Sequence, residues 1–183
     1  KLAAMEAVWE TSKNVPFLVF AVPDQKAQKN RFEVKIPYMS SLLNTHDPHG
    51  EIVGLKSVKP QNQPPVASVF YSFRIMVYLS GLMLLLSTIS AYYLWKDKLI
   101  SSKWILRFWV LMAPAGFIAM ECGWFTAEIG RQPWVIYQYL RTSNAVSPVD
   151  SHTVATSLIA LIIVYVIIFG FFYWRYLLQT IKG

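Results

Sequence analysis

The sequence predicts an all-α integral membrane protein: three transmembrane helices preceded by an N-terminal extramembrane loop region, together forming part of a larger helical bundle. Two observations carry that prediction. The 183-residue chain is 55% hydrophobic, 15% aromatic and only 15% charged, too apolar and too poor in charge for an ordinary soluble domain of this size. Its apolar residues also gather into three runs that meet the requirement of about 20 residues, at 1.5 Å rise each, for crossing a bilayer. The formal net charge of +7 does not point to nucleic acid. Lys and Arg flank the apolar runs or sit in one long loop, with no basic stripe or base-stacking motif, and basic flanks of this kind set membrane topology. The single cysteine, Cys122, excludes an internal disulfide framework and a cysteine-based zinc cluster.

Residues 1–65 form the loop region, polar and punctuated by prolines from Pro16 to Pro65. Within it "KLAAMEAVWET" predicts a short helix. "RFEVKI" alternates polar and apolar residues and pairs as a hairpin with "FLVFAV" across "PDQKAQKN". Glu6 and Glu10 stand where a signal peptide would need an apolar core, and the chain opens at Lys1, so we expect a segment of a longer polypeptide.

The transmembrane domain, 66–183, holds the spans. The first runs over about 66–95 and carries one charge, Arg74. The second, about 104–130, contains Pro114, tolerated where neighbours satisfy the freed carbonyl, and two acids, Glu121 and Glu128. The third, about 153–175, is uncharged up to Trp174. Lys96, Lys98, Lys103 and Arg107 between the first two spans, and Arg175 and Lys182 after the third, place 96–103 and the C-terminus on the cytoplasmic side. Residues 1–65 and 131–152 then lie outside. Tyr92, Tyr93, Trp95, Trp104, Trp134 and Trp174 fit interfacial aromatic belts.

The chemistry concentrates in "ECGWFTAEIGRQPW", Glu121–Trp134. On a helix Glu121 and Glu128 lie only about 20° apart in azimuth, with Trp124 and Phe125 beside them, while Gly116, Gly123 and Gly130 point nearly the opposite way and suit close approach of another helix. A mid-membrane carboxylate costs roughly 2.5–3.5 kcal/mol on insertion scales, so these acids need a partner, a cavity or a bound ion. Glu128 has a simple candidate in Arg131 at i+3; Glu121 lies deeper and has none in the sequence. In the first span "FRIM" sets Arg74 two residues before Met76. An isolated arginine at a span end ordinarily snorkels to water, and a methionine is ordinarily apolar filler, yet a thioether can ligate haem axially and a guanidinium can neutralise a carboxylate close by.

"GWFTAEIGRQPW", "FRIMV" and "KLAAMEAVWET" together resemble the C-terminal half of subunit I of cytochrome bd-type quinol oxidase, from the quinol-binding loop onward. The resemblance implies a multi-pass protein of the bacterial or archaeal cytoplasmic membrane, part of a terminal oxidase that oxidises quinol outside and reduces dioxygen to water through haem b (two copies) and haem d. It implies Met76 as axial ligand of a low-spin haem b iron, with Arg74 as a nearby positive charge, and Glu121 as ligand of a high-spin haem b iron. Trp124, Glu128, Arg131 and Trp134 match the signature around the haem pocket. Lys1 and Glu6 match the start of the quinol-binding loop, the lysine donating to a quinone oxygen and the glutamate accepting a proton; on a helix they would be about 140° apart, too far for a simple ion pair. The implied partners are an N-terminal portion of subunit I, subunit II, small accessory membrane subunits, quinol, dioxygen and lipid. The family's haem-ligating histidines lie in helices this chain lacks, and His46, His49 and His152 fall outside its motifs. From the residues alone two other functions stay open: a proton or cation transporter subunit using Glu121 and Glu128, and a non-catalytic structural subunit.

Overall fold

A computed structural model describes residues 1–146 and 148–182. The chain divides into two compact units, Lys1–Asn144 and Ala145–Gly183. It is mostly helical, and three of its helical stretches, Val66–Trp95, Lys103–Ile129 and Ser151–Ile181, are long and apolar enough to cross a membrane.

The first unit begins with α1 (Leu2–Met5), a single turn. The predicted helix is thus much shorter than the motif. Ala7 takes a left-handed φ of 49°, which ends the helix and lets Val8 and Trp9 turn into the core. The β1 strand (Ser12–Lys13) pairs antiparallel with β4 (Glu51–Ile52), and between them β2 (Phe17–Asp24) and β3 (Lys29–Ile36) form the predicted hairpin, with Phe17 opposite Ile36 and Asp24 opposite Lys29. Asp24 closes its turn by accepting from the Lys26 and Ala27 amides at 3.1 and 3.0 Å. A short α2 (Met39–Thr45) follows the hairpin, and Ser41 ties it in, accepting from the Val15 amide and donating to the Gly50 carbonyl, both at 2.8 Å. Gly54 is required where β4 leaves the loop, because a Cβ there would stand 2.3 Å from the Glu10 carbonyl carbon.

The first span is one helix, α3 (Val66–Trp95). Its N-terminal end joins the loop region in a shared core of Ala4, Ala7, Trp9, Leu18, Ala21, Leu55, Val66, Val69 and Phe70. The second span is interrupted: α4 (Lys103–Leu111) ends one turn before Pro114, and α5 (Ala115–Ile129) starts immediately after it. Proline has no amide to continue the ladder, and the tight bonds from Ala113 to Val110 and from Ala115 to Met112 bridge the gap. Leu86, Ile105, Met112 and Ala115 pack the two spans together toward their far ends. After α5, β5 (Trp134–Ile136) and β6 (Leu140–Arg141) make a small hairpin.

The second unit is a single helical rod, α6 (Ser151–Tyr165), a π-helical stretch (Val166–Tyr173) and α7 (Trp174–Lys182). It exceeds the predicted 153–175 at both ends. Asp150 caps it by accepting from the His152 amide at 3.0 Å, which places His152 in the first helical turn. None of its span is buried.

Candidate functional site

The N-terminal half of α3 presents two differently used faces. Tyr71, Arg74 and Tyr78, at i, i+3 and i+7, point to the loop region; Ser72 and Met76, at i and i+4, point to α5.

On the loop side Arg74 is buried, not extended to water. Its Nη2 donates to the Glu6 Oε2 at 2.8 Å with both side chains only 3% exposed, and its Nε donates to the Leu18 carbonyl at 2.6 Å. The rings of Phe17, Phe70 and Phe73 surround the guanidinium carbon at 4.1, 4.7 and 5.3 Å from their centroids. The snorkelling expectation is corrected for a definite reason: a desolvated carboxylate and a cage of aromatic faces replace the water the charge would have sought. Arg74 Nη1 is buried with no hydrogen-bond partner among the described residues. A buried unsatisfied donor costs roughly 1–3 kcal/mol, more when charged, so this atom asks for an acceptor that these residues do not contribute.

On the α5 side Ser72 shares a hydrogen bond with Thr126 across the helices at 3.0 Å, the kind of polar contact that joins spans in lipid. Four residues on, Met76 lies against Gly123. A Cβ at that glycine would stand 3.0 Å from the Met76 sulfur, so the missing side chain makes the room the thioether occupies. The close-approach face of α5 is therefore real at Gly123 but is completed by Ala115, Ala119 and Thr126, which are buried. Gly116 faces open space.

The opposite face of α5 is bare. Glu121 is exposed and makes no hydrogen bond or ion pair with any described residue. Trp124, 60% exposed, stacks on Phe125 with centroids 5.9 Å apart. Two turns further, Glu128 pairs with Arg131 at 3.3 Å, with both side chains about half exposed at 45% and 54%. Trp134 is held from one side by Arg141, whose guanidinium lies 4.9 Å over the ring and also donates to Asn62.

Lys1 and Glu6 do not meet. Lys1 borders a cavity of about 980 Å³ together with Gly130, Arg131, Gln132 and Trp134, whereas Glu6 borders a separate one of about 200 Å³ with Trp9 and Asn30. Two groupings result: Glu6 with Arg74, two residues from Met76, and Lys1 with the "GRQPW" segment. Glu121 and Trp124 join neither. No cluster of three or more His, Cys, Asp or Glu able to hold a metal occurs among the described residues. His49 instead bonds Asn14 at 2.6 Å through Nδ1. Tyr71, Tyr78, Ser72 and Thr126 were not singled out from the sequence. Their signal was there, as polar groups at helical spacing within apolar runs.

The family model for cytochrome bd terminal oxidase subunit I matches residues 1–183. The chain is 33% identical over 197 aligned residues to cytochrome bd ubiquinol oxidase subunit 1 of Bacillus subtilis, covering all of this chain and 42% of that protein. To cytochrome bd-II ubiquinol oxidase subunit 1 of Escherichia coli it is 29% identical, covering 90% of this chain and 45% of that one. It thus spans less than half the length of these relatives. Its fold matches the structure of bd oxidase from Geobacillus thermodenitrificans with a TM-score of 0.68 and 30% identity, over 91% of this chain and 38% of the other. Motifs, fold and comparisons agree: the chain belongs to the cytochrome bd terminal oxidase subunit I family.

Proposed function

We propose that the chain is the quinol-side and haem-binding part of a terminal respiratory oxidase, which oxidises quinol at the outer membrane surface and reduces dioxygen to water. The observation that carries this is Arg74: a guanidinium paired with a loop glutamate, one nitrogen left without an acceptor, two residues before a methionine seated at a glycine. That set suits a haem. Nη1 offers a buried donor to an anionic substituent such as a propionate, and Met76 offers a thioether whose place Gly123 keeps open. The haems, two of type b and one of type d, supply electron transfer and dioxygen reduction when bound.

The chain's own residues hold charge and protons. Met76 would ligate the low-spin haem b, with Arg74 neutralising carboxylate charge beside it. The acidic face of α5 would supply the carboxylate for the high-spin haem b; the resemblance puts it at Glu121, which has no competing partner among the described residues, and Glu128 is the other acid on that face. Lys1 would donate to a quinone oxygen at the mouth of the larger cavity. Glu6 would accept a quinol proton only while exchanging its bond to Arg74, so proton uptake and the Arg74 charge are tied together. Trp124, Arg131 and Trp134 line the surroundings of these groups. The remaining ligands must come from the N-terminal portion of subunit I, with subunit II and accessory membrane subunits completing the complex.

Oxygen uptake by the purified complex on addition of a quinol tests the activity. A robust quinol-dependent rate is expected; a haem-containing complex that consumes no oxygen with any quinol would overturn it.

A further inference from the structure

We infer that Tyr78 is a positioning residue: it clamps the β2 strand of the loop onto the first span and thereby holds the Glu6–Arg74 pair in register with Met76. This rests on the proposed quinol-oxidase reading. Three side chains on one face of α3 reach backbone carbonyls of the same strand. Tyr71 donates to the Ala21 carbonyl at 3.1 Å, Arg74 to the Leu18 carbonyl at 2.6 Å, and Tyr78 to the Val19 carbonyl.

The residues at i, i+3 and i+7 subtend only about 60° of helix surface, so one face of α3 fastens the strand at three points spread over two helical turns. Arg74 and Tyr78 hold the two neighbouring carbonyls, Leu18 and Val19. Arg74 also bonds Glu6 and faces the rings of Phe17, Phe70 and Phe73, so Tyr78 adds a second, uncharged tie from α3 to the same strand. Tyr78 is the tie nearest the membrane interior. It is also separate from the charged pair, so it can be removed without creating an unpaired buried charge.

The test is Tyr78→Phe in the complete purified complex, read in three ways: tryptic cleavage at Lys26, Lys29 and Arg31 in the hairpin, KM and kcat for quinol, and the low-spin haem spectrum. Loss of one hydrogen bond predicts cleavage faster by about five-fold, the equivalent of ~1 kcal/mol. KM should rise about three- to five-fold, with kcat within two-fold and the haem bands unchanged. Cleavage no faster than in the wild type overturns the clamp. Faster cleavage with unchanged KM overturns its positioning role. If Tyr78→Phe disturbs the haem bands, Tyr71→Phe, which removes the Ala21 tie about two turns toward the N-terminus of α3, replaces it under the same criteria. A wild-type complex that fails to oxidise quinol would refute the oxidase reading, while the cleavage comparison still decides whether Tyr78 holds the strand.

Discussion

Arg74 and Glu121 are both charges set within apolar spans on neighbouring helices, and the chain treats them in opposite ways. Arg74 is wrapped: a carboxylate, a backbone carbonyl and three aromatic rings all come from this chain. Glu121 is bare, exposed beside Met120 and Trp124 with no partner among the described residues. The difference teaches which side of each helix is finished. The seam between α3, α5 and the loop is a packed interior in which Arg74 Nη1 is left without a hydrogen-bond partner among the described residues. The face of α5 that carries Glu121 is what we propose as a half-site, whose charge would be met by a group from outside the described residues.

The largest effect that could break this contrast is at the buried pair. Arg74→Ala strands Glu6 in the interior, and breaking a buried pair costs about 3–5 kcal/mol; the complex should lose its low-spin haem and release the loop to protease. A double-mutant cycle with Glu6→Gln and Arg74→Gln, read from thermal unfolding of the complex, should give a large coupling energy. The exposed Glu128–Arg131 pair treated identically should give no more than about 0.5 kcal/mol. Equal couplings would erase the distinction between finished and unfinished faces.

Next comes the half-site. Glu121→Gln and Glu128→Gln, compared side by side, should differ sharply, with one of them losing the high-spin haem b signal while the chain itself stays folded. Retention of that signal in both would show that this face is lipid-facing surface. A smaller change is expected from Gly123→Ala. Its new methyl meets the Met76 sulfur at about van der Waals overlap, and overpacking of this kind costs roughly 1–3 kcal/mol; the low-spin haem band should shift or weaken, and an unaltered band would mean that Met76 is free to move aside.

The smallest effect lies in the loop. The Ala27 amide, and then Arg31 beside it, hold the Asp24 carboxyl below its ordinary range. Because the folded-state value is depressed, the contribution to the hairpin is fully present above the ordinary aspartate pKa of about 3.9 and is lost as pH falls below it. Pepsin cleavage of the hairpin should therefore steepen in acid below pH 4 and do so less in Asp24→Asn. Identical acid profiles would remove Asp24 from the turn's support.

Much of this was legible in the residues. Charge-poor runs announced the spans, alternation in "RFEVKI" across a turn from the apolar "FLVFAV" announced the hairpin, and heptad spacing put Glu121 and Glu128 on one face. What failed to show was whatever depended on distant partners. Arg74 looked like a snorkelling residue because its partner, Glu6, lies 68 positions away, and no local periodicity encodes such a contact. "KLAAMEAVWET" read as a helix on propensity, but burial of Ala7, Val8 and Trp9 against the first span and the Trp9–Asn30 bond at 2.7 Å end it after one turn. The glycine heptad pointed to the right face of α5, but its three members meet different surroundings: Gly123 lies against Met76, Gly130 against Lys1, and Gly116 faces open space.

The most direct measurement is the reduced-minus-oxidised visible spectrum of the purified complex, taken for the wild type and for Met76→Ala. The wild type should show b- and d-type bands, and the variant should lose the low-spin b component while keeping the others. Absence of haem bands in the wild type would contradict the oxidase assignment, and an unchanged low-spin band in Met76→Ala would contradict the ligand assignment at the centre of the site.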